Sequence, residues 1–89
     1  MHYVYIVRCA DGTLYTGTAR DPRERALKHN SGRGAKYTSG RRPVDLVYSE
    51  GCASIGAALR REIQLKRWSR PRKEALISSS ESRLPPLRT

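Results

Sequence analysis

Two strand-like segments near the N-terminus flank a turn signal, and this arrangement constrains the fold more than any other feature of the sequence. Tyr3–Val7 is an unbroken run of aromatic and β-branched residues, which favour strands. Ala10-Asp11-Gly12 is typical of a turn, and Thr13–Thr16 resumes the strand pattern beyond it. The sequence therefore predicts a β-hairpin.

The length of the turn decides whether Tyr5 and Tyr15 share a face, because a shift of one residue moves a side chain to the opposite face of a strand. A two-residue turn separates the two phenols. A three-residue turn with Gly12 in the left-handed region places them on one face and sets Tyr5 opposite Gly17. We favour this second register, in which Gly17 leaves space for a substrate. Taken alone, either tyrosine is most often structural.

A helix signal follows the hairpin. Asp21 is a good N-cap and Pro22 suits the first helical position, so a helix is predicted from about Pro22 to Asn30. Within it, Arg25 and His29 share a face, since they are four residues apart. Each has an ordinary interpretation when taken alone: Arg25 as a surface arginine, and His29 as a C-terminal histidine favoured by the helix dipole.

The middle of the chain, residues 31–43, is glycine-rich and basic and predicts a surface loop with at most a short helical turn at Ala35–Thr38. Val44–Glu50 is rich in strand-favouring residues and predicts a third strand. A helix and a long loop separate this strand from the hairpin, so it cannot pair through a tight turn. Antiparallel pairing beside the first strand would make that strand central, which matches its nearly continuous apolar run.

Residues 54–68 predict a long helix. Apolar side chains recur there at a spacing of four and predict a buried stripe. The stripe consists of Ile55, Leu59 and Ile63. Glu62 borders it, and its carboxylate either faces the tyrosines or pairs with Lys66 on the solvent side.

A short final helix is predicted from Ser69, which can cap it, to Ile77. We expect Trp68, Leu76 and Ile77 to close the core. Residues 79–89 are rich in serine and proline and predict a disordered tail, so a single domain is expected over residues 1–78.

The net charge of +10, from 18 basic and 8 acidic residues, indicates a polyanionic partner, most simply nucleic acid. A solubilising surface is the ordinary interpretation. It explains less well why basic residues concentrate in one glycine-bearing loop and in the C-terminal third of the chain. The loop residues that we expect to bind nucleic acid are Arg33, Lys36, Tyr37, Arg41 and Arg42.

Cys9 and Cys52 are too few and too far apart in sequence for a disulfide framework or a paired-cysteine zinc site, so we expect two buried reduced thiols. No apolar run is long enough to span a bilayer, and the N-terminus lacks a signal-peptide pattern. We therefore expect a soluble, cytoplasmic protein without a membrane partner.

Several motifs occur in a fixed order between Tyr3 and about Ile77. They are Val4-Tyr5-Ile6, Tyr15-Thr16-Gly17, Arg25, His29, Gly34-Ala35-Lys36-Tyr37-Thr38 and Glu62. This ordered set resembles the GIY-YIG endonuclease family, and within it the small stand-alone bacterial proteins of the YhbQ-like, UPF0213-type group. The resemblance implies an α/β (α+β) domain with a three-stranded antiparallel sheet, a central first strand and about three flanking helices.

The resemblance also implies a divalent-metal-dependent endonuclease that hydrolyses DNA and leaves a 5′-phosphate, in DNA repair or recombination. Tyr5 would orient or deprotonate the attacking water with help from His29 or the metal, and Tyr15 would help to position that water. Glu62 would be the sole protein ligand of Mg²⁺ or Mn²⁺, which suits a cation that keeps much of its hydration. Arg25 presents a planar, permanently charged fork and suits a clamp on the phosphate.

Two alternatives belong to other classes. One is a non-catalytic nucleic-acid-binding module that retains the fold and the basic surface. The other is a nuclease subunit that needs a partner to deliver its substrate. The sequence departs from the family pattern in having Val4 where the triplet begins with glycine, and in having no asparagine between Glu62 and Thr89.

Overall fold

A computed structural model describes residues 1–80 of the 89-residue chain. Three strands form one antiparallel sheet in the order β2-β1-β3, which confirms that the first strand is central. The strands are β1 (His2–Arg8), β2 (Leu14–Ala19) and β3 (Asp45–Cys52). The described residues also form four helices: α1 (Pro22–Asn30), α2 (Lys36–Ser39), α3 (Ile55–Lys66) and α4 (Arg70–Ser80).

The hairpin has the three-residue turn. The Cys9 amide donates to the Thr13 carbonyl over 2.8 Å, and Gly12 has a φ of 86°, in the left-handed region that glycine tolerates. As predicted, Tyr5 lies opposite Gly17. Both phenols therefore point to the same face of the sheet.

The central strand β1 is buried because β2 and β3 cover its edges and helices cover its faces. Val4, Tyr5, Ile6 and Val7 are each at most 1% exposed. Alternate residues of β1 enter two apolar clusters. Tyr5 and Val7 pack with Val44 and Ala26 of α1, whereas Ile6 packs with Tyr48 and Ile77 of α4.

Helix α1 has the predicted bounds and the predicted cap. The Asp21 side chain accepts hydrogen bonds from the backbone amides of Arg23 and Glu24, and Pro22 occupies the first turn. The helix ends one turn after Arg25, and His29 in its last turn is only 1% exposed. Its burial shows that His29 belongs to the interior, not to a solvated helix end.

The predicted buried stripe of α3 is wrong. Ile55, Leu59 and Ile63 are 58%, 44% and 54% exposed, whereas Ala58 and Leu65 are fully buried. At 100° per residue, the Leu59 side of the helix lies about 100° around the axis from the Ala58 side. The small Ala58 side chain allows close approach to the strands, and α3 contacts all three of them. The helix also begins later and ends earlier than residues 54–68, since Ser54 is its N-cap.

Helix α4 is joined to the hairpin by charged contacts. Glu74 accepts two hydrogen bonds from Arg8, at 2.7 and 2.8 Å, and Arg70 donates to the Gly12 carbonyl over 2.6 Å. Arg8 holds the pKa of the Glu74 carboxyl below its usual range. Ile77 is buried as expected, and the helix continues to Ser80 beyond the predicted end.

The remaining predictions concern Trp68, the two cysteines, the C-terminal tail and membrane-spanning segments. Trp68 is half-buried and lies under two arginine side chains, so it does not close the core. Cys9 is buried and Cys52 half-buried, and both are free thiols. The predicted tail reaches residues 81–89, which lie outside the described residues. No helix within residues 1–80 is long and apolar enough to cross a bilayer.

Candidate active site

Tyr5 and His29 form the buried floor of the candidate site. The Tyr5 hydroxyl lies 2.7 Å from His29 Nε2, and the two side chains are each 1% exposed. The hairpin register aims Tyr5 at this face of the sheet, and α1 brings His29 across to it. The structure thus joins two of the predicted catalytic residues by a hydrogen bond.

The surroundings of His29 determine its tautomer. The backbone amide of Ala35 donates to His29 Nδ1 over 3.2 Å, so Nδ1 is an acceptor and carries no proton. The Thr38 hydroxyl lies 2.8 Å from the same nitrogen and 2.9 Å from the Ala35 carbonyl, to which it donates its proton. A neutral His29 therefore holds its proton on Nε2 and donates it to the Tyr5 oxygen. His29 stabilises negative charge on that oxygen.

The electrostatic environment of the pair agrees with this assignment. Burial, Arg25 and Lys28 all lower the pKa of His29, which keeps the ring neutral near pH 7. Burial raises the pKa of the Tyr5 phenol far above its ordinary value, and the phenol of Tyr15 and the carboxylate of Glu62 raise it further. Arg25 lowers the pKa of Tyr5 through its charge and a hydrogen bond. Arg25 is thus the described residue that favours a Tyr5 phenolate by its charge.

Tyr15 lies between the buried pair and solvent. Its ring centroid is 6.5 Å from that of Tyr5 and 5.3 Å from that of His29, the latter in an edge-to-face arrangement. On its outer side, Tyr15 stacks on Tyr37 with ring centroids 5.8 Å apart. The guanidinium of Arg41 lies 4.1 Å from the centroid of the Tyr37 ring. These rings form one aromatic path from the Tyr5 hydroxyl to the surface of the loop.

Two glycines allow the rings of Tyr5 and His29 to pack directly against the backbone. A Cβ atom on Gly17 would lie 2.7 Å from the Tyr5 hydroxyl, so the space opposite Tyr5 is filled by its own phenol and not left open for a substrate. A Cβ atom on Gly34 would lie 2.1 Å from His29 Nδ1. Neither position can carry a side chain unless the Tyr5 or His29 ring moves. Gly17 therefore positions Tyr5 directly, and its predicted role in positioning substrate stays a prediction.

Glu62 faces the tyrosines and also forms the ordinary helix pair. Its charge acts on Tyr5, and its side chain is 17% exposed. At the same time Glu62 Oε2 lies 3.0 Å from the ammonium of Lys66, which itself lies 5.9 Å from the centroid of the Tyr15 ring. The predicted ion pair with Lys66 is thus confirmed, and it lies beside Tyr15, whereas the predicted role of Glu62 in binding a metal ion stays a prediction.

The donor set at Glu62 fits a weakly coordinated divalent cation. Within residues 1–80, no group of three or more histidine, cysteine, aspartate or glutamate side chains could hold a metal ion. Glu62 contributes one carboxylate at the partly exposed rim, and its second oxygen has no protein partner in the described part of the chain. One carboxylate with solvent access suits Mg²⁺, which takes most of its ligands from water and phosphate.

The basic loop is more ordered than its composition suggests. Arg41 pairs with Asp11 over 3.1 Å and donates to the Tyr37 carbonyl, and Arg42 donates to the Ser39 carbonyl. These arginines hold the loop in place. Arg33 and Lys36 are exposed, as a contact to nucleic acid requires. Their predicted role in binding nucleic acid remains a prediction.

Sequence reasoning missed Thr38 and the backbone of Ala35 as parts of the site. Thr38 is fully buried and contacts His29, which lies nine positions before it in the sequence. The signal was present, because both residues belong to the motif that begins at Gly34. It could not be interpreted without knowing that α2 folds back onto the end of α1, which the short helical turn alone does not show.

Comparison with known proteins places the whole arrangement in a family. Residues 1–75 match the model of the GIY-YIG catalytic domain. The chain is 56% identical over 77 residues to a UPF0213 protein of Staphylococcus saprophyticus, an alignment that covers 86% of this chain and 94% of the relative. A UPF0213 protein of Staphylococcus aureus is 54% identical over 76 residues, covering 85% and 93% of the two chains.

Solved structures agree with these relatives. A solution NMR structure of a UPF0213 protein from Bacillus halodurans has a TM-score of 0.59 and 48% identity, covering 90% of this chain and 85% of that one. A second solution NMR structure, of a protein from E. faecalis, has a TM-score of 0.58 and 38% identity, covering 88% and 83%. Sequence and fold thus point to the same family.

Proposed function

The chain belongs to the GIY-YIG catalytic domain family, and from this premise we propose that it is a divalent-metal-dependent endonuclease that hydrolyses phosphodiester bonds of DNA. The observation that carries the proposal is the convergence of Tyr5, Arg25, His29 and Glu62 on one face of the sheet. Three of these residues act electrostatically on Tyr5 or hydrogen-bond to it. The net charge of +10 favours a polyanionic substrate.

The roles follow from the contacts. Tyr5 is the general base, because its oxygen accepts from His29 Nε2 and the charge of Arg25 lowers its pKa, and both effects favour the phenolate. His29 acts as a donor that orients and stabilises this oxygen. Tyr15, which lies above the pair, positions the attacking water. Arg25 clamps the phosphate, where its charge stabilises the oxygens that become more negative in the transition state.

Glu62 would hold a divalent cation, Mg²⁺ or Mn²⁺, at the rim of the site. When bound, such a cation supplies positive charge to the phosphoryl oxygens and offsets the effect by which Glu62 raises the pKa of Tyr5. The phenol of an isolated tyrosine is a poor base near neutral pH, and here burial raises its pKa further. Positive charge from Arg25 and the cation is therefore essential to the proposed mechanism.

The proposal is tested by cleavage of labelled single-stranded, duplex and flap DNA in Mg²⁺, in Mn²⁺ and in EDTA. We expect the wild-type protein to cut at least one substrate only with metal. Arg25→Ala should lose about 10² to 10³ in rate, the typical cost of removing a charge-stabilising donor. Glu62→Gln, which keeps the shape of the side chain, should bind DNA but not cut it.

Arg23→Ala is the matched control for Arg25→Ala, because Arg23 is exposed on the same helix and its side chain contacts no residue of the site. It should cut at nearly the wild-type rate. Salt-sensitive DNA binding without cleavage of any substrate would contradict the nuclease and favour the non-catalytic module. Cleavage that appears only when a cell extract is added would favour the partner-dependent subunit.

A further inference from the structure

A second cation-rich surface lies at the junction of α3 and α4, around Trp68. The guanidinium of Arg72 lies 3.9 Å from the centroid of the indole ring, and that of Arg61 lies 5.3 Å from it. Arg61 is held in place by Glu50, which accepts its Nε proton over 3.0 Å and also accepts the Tyr48 hydroxyl proton. Arg61 also donates to Gln64 Oε1 over 2.7 Å, so its guanidinium is held by Glu50 and Gln64, while Arg72 is the arginine in close contact with the indole ring.

These arginines line an open cleft of about 750 Å³. Its polar and aromatic lining consists of Arg60, Arg61, Gln64, Arg67, Trp68 and Arg72. Four guanidinium groups face it, and no carboxylate is part of the lining. Within residues 1–80, Arg60, Arg67 and Arg72 form no ion pair. The cleft therefore concentrates positive charge that the described part of the chain leaves uncompensated.

The stacked geometry suits a phosphate ligand. The guanidinium of Arg72 lies 3.9 Å from the ring centroid and carries its N–H groups in the plane of the fork, where they can donate to a ligand in the cleft. A phosphodiester can accept two parallel hydrogen bonds from such an edge. Because the ring already restricts Arg72, less side-chain entropy is lost when the anion binds than for an unrestrained side chain.

The cleft and the tyrosine site lie on two flanks of the same helix. Glu62 and Lys66 turn toward Tyr5 and Tyr15, whereas Arg61 turns toward Glu50 of β3. Adjacent residues of an α-helix point about 100° apart, and the helix is roughly 10–12 Å across. A few nucleotides, at about 3.4 Å each along a duplex axis, cover that distance. One nucleic acid can therefore reach both sites by crossing α3.

We propose that the Arg61–Trp68–Arg72 cleft is a second phosphate-backbone site, which binds the same nucleic acid at a point several nucleotides from the scissile bond. The proposal rests on the proposed function, since it takes the bond to be cut to lie at Tyr5 and Arg25. It makes the substrate an extended strand that crosses α3. An acidic protein segment is the competing ligand, but the planar arginine edges favour phosphate over scattered carboxylates.

Trp68 is the only tryptophan of the chain, so its fluorescence reports on the cleft alone. The full-length protein is titrated in EDTA, which prevents cleavage, with oligonucleotides of increasing length, while anisotropy of a labelled oligonucleotide measures total binding. We expect a saturable change in Trp68 emission with long oligonucleotides and none with a dinucleotide. The Arg25→Ala variant should show the same change, because it alters the other site.

Arg60→Ala combined with Arg67→Ala removes two exposed cations and leaves the stacked pair intact. It should weaken binding of long oligonucleotides about tenfold and reduce the slope of log affinity against log salt by about 1.4 to 1.8, the value for two lost phosphate contacts. Arg20→Ala combined with Arg23→Ala is the charge-matched control and should change that slope less. Circular dichroism checks that both double variants are folded.

Two results would overturn the inference. One is oligonucleotide binding, seen by anisotropy, without any change in Trp68 emission. The other is a response of Trp68 to poly-glutamate but not to DNA, which would assign the cleft to an acidic protein. If the protein cuts DNA but DNA does not change the Trp68 emission, the second phosphate site is refuted and the nuclease proposal stands. If DNA changes the Trp68 emission but is never cut, the nuclease proposal is refuted and the binding of nucleic acid in the cleft stands.

Discussion

Gly17 and Gly34 have no side chains, and this leaves room for the rings of Tyr5 and His29 to form their hydrogen bond. The Tyr5 hydroxyl occupies the space above Gly17, and the edge of His29 occupies the space beside Gly34. The Ala35 amide then fixes the tautomer of His29, and through it the direction of the hydrogen bond to Tyr5. The geometry of the candidate site is thus determined by backbone groups and by the absence of side chains at two glycines as much as by Tyr5 and His29 themselves.

The burial of His29 beside cationic side chains predicts a pH dependence of stability. The pKa of His29 is lowered in the folded state, so as pH falls the unfolded chain takes up its proton first. The free energy of unfolding should therefore be unaffected by His29 above its ordinary pKa of about 6.5 and should fall below it, until the folded-state pKa is reached. Urea unfolding between about pH 7 and about pH 5 measures this slope.

His29→Gln and His2→Gln form the matched pair for that measurement. The slope should disappear in His29→Gln and persist in His2→Gln, because His2 lies outside the site at the start of β1. An equal slope in both variants would show that other groups produce it.

At the scale of elements, α3 shows how far a sequence pattern determines a buried face. The spacing of Ile55, Leu59 and Ile63 correctly predicts a helix but not the side of it that packs against the sheet. These three large residues lie on an exposed side, whereas Ala58 and Leu65 lie on the buried side. The side with the small Ala58 packs against the sheet, because a small side chain allows the helix and the strands to approach closely. Local signals suffice for the hairpin and α1, whose turn and cap are determined by adjacent residues.

Leu65 and Leu59 give a direct test of this assignment, because the same substitution can be made twice on one helix. Leu65→Ala should lower the free energy of unfolding by about 2–5 kcal/mol, as it opens a cavity in the core. Leu59→Ala should lower it by less than about 1 kcal/mol, since its side chain is 44% exposed. Chemical denaturation measures both values, and a larger effect at Leu59 would contradict the packing described.

Contacts between distant segments explain what the sequence could not show. Thr38 reaches His29 only because α2 folds back, and the cleft at Trp68 depends on how α4 leaves α3. No periodicity or cap encodes either geometry. The order of the catalytic motifs identifies the family, whereas the placement of the supporting residues requires the folded chain.

For the whole molecule, the excess of 18 basic over 8 acidic residues has two opposite consequences. Like charges repel one another and destabilise the compact state, and salt screens this repulsion. Added sodium chloride should therefore raise the melting temperature of the free protein. The same salt should weaken the proposed binding to DNA, because phosphate contacts release condensed counterions.

Thermal unfolding and DNA binding measured over one series of salt concentrations check both trends. In the Arg20→Ala, Arg23→Ala double variant the formal charge falls from +10 to +8 (10 − 2), so its melting temperature should respond less to salt. A melting temperature that falls as salt rises would mean that ion pairs such as Arg8–Glu74 outweigh the general repulsion.

The position of β1 also affects how the protein is made. This strand is synthesised before the other elements of the sheet, yet one of its edges is covered by β3, which ends at Cys52, and one of its faces by Ile77 of α4. The hairpin can form early, but it stays open on one edge and one face until nearly all of the described chain has been synthesised. The core around β1 can therefore be completed only after β3 and α4 have both been synthesised.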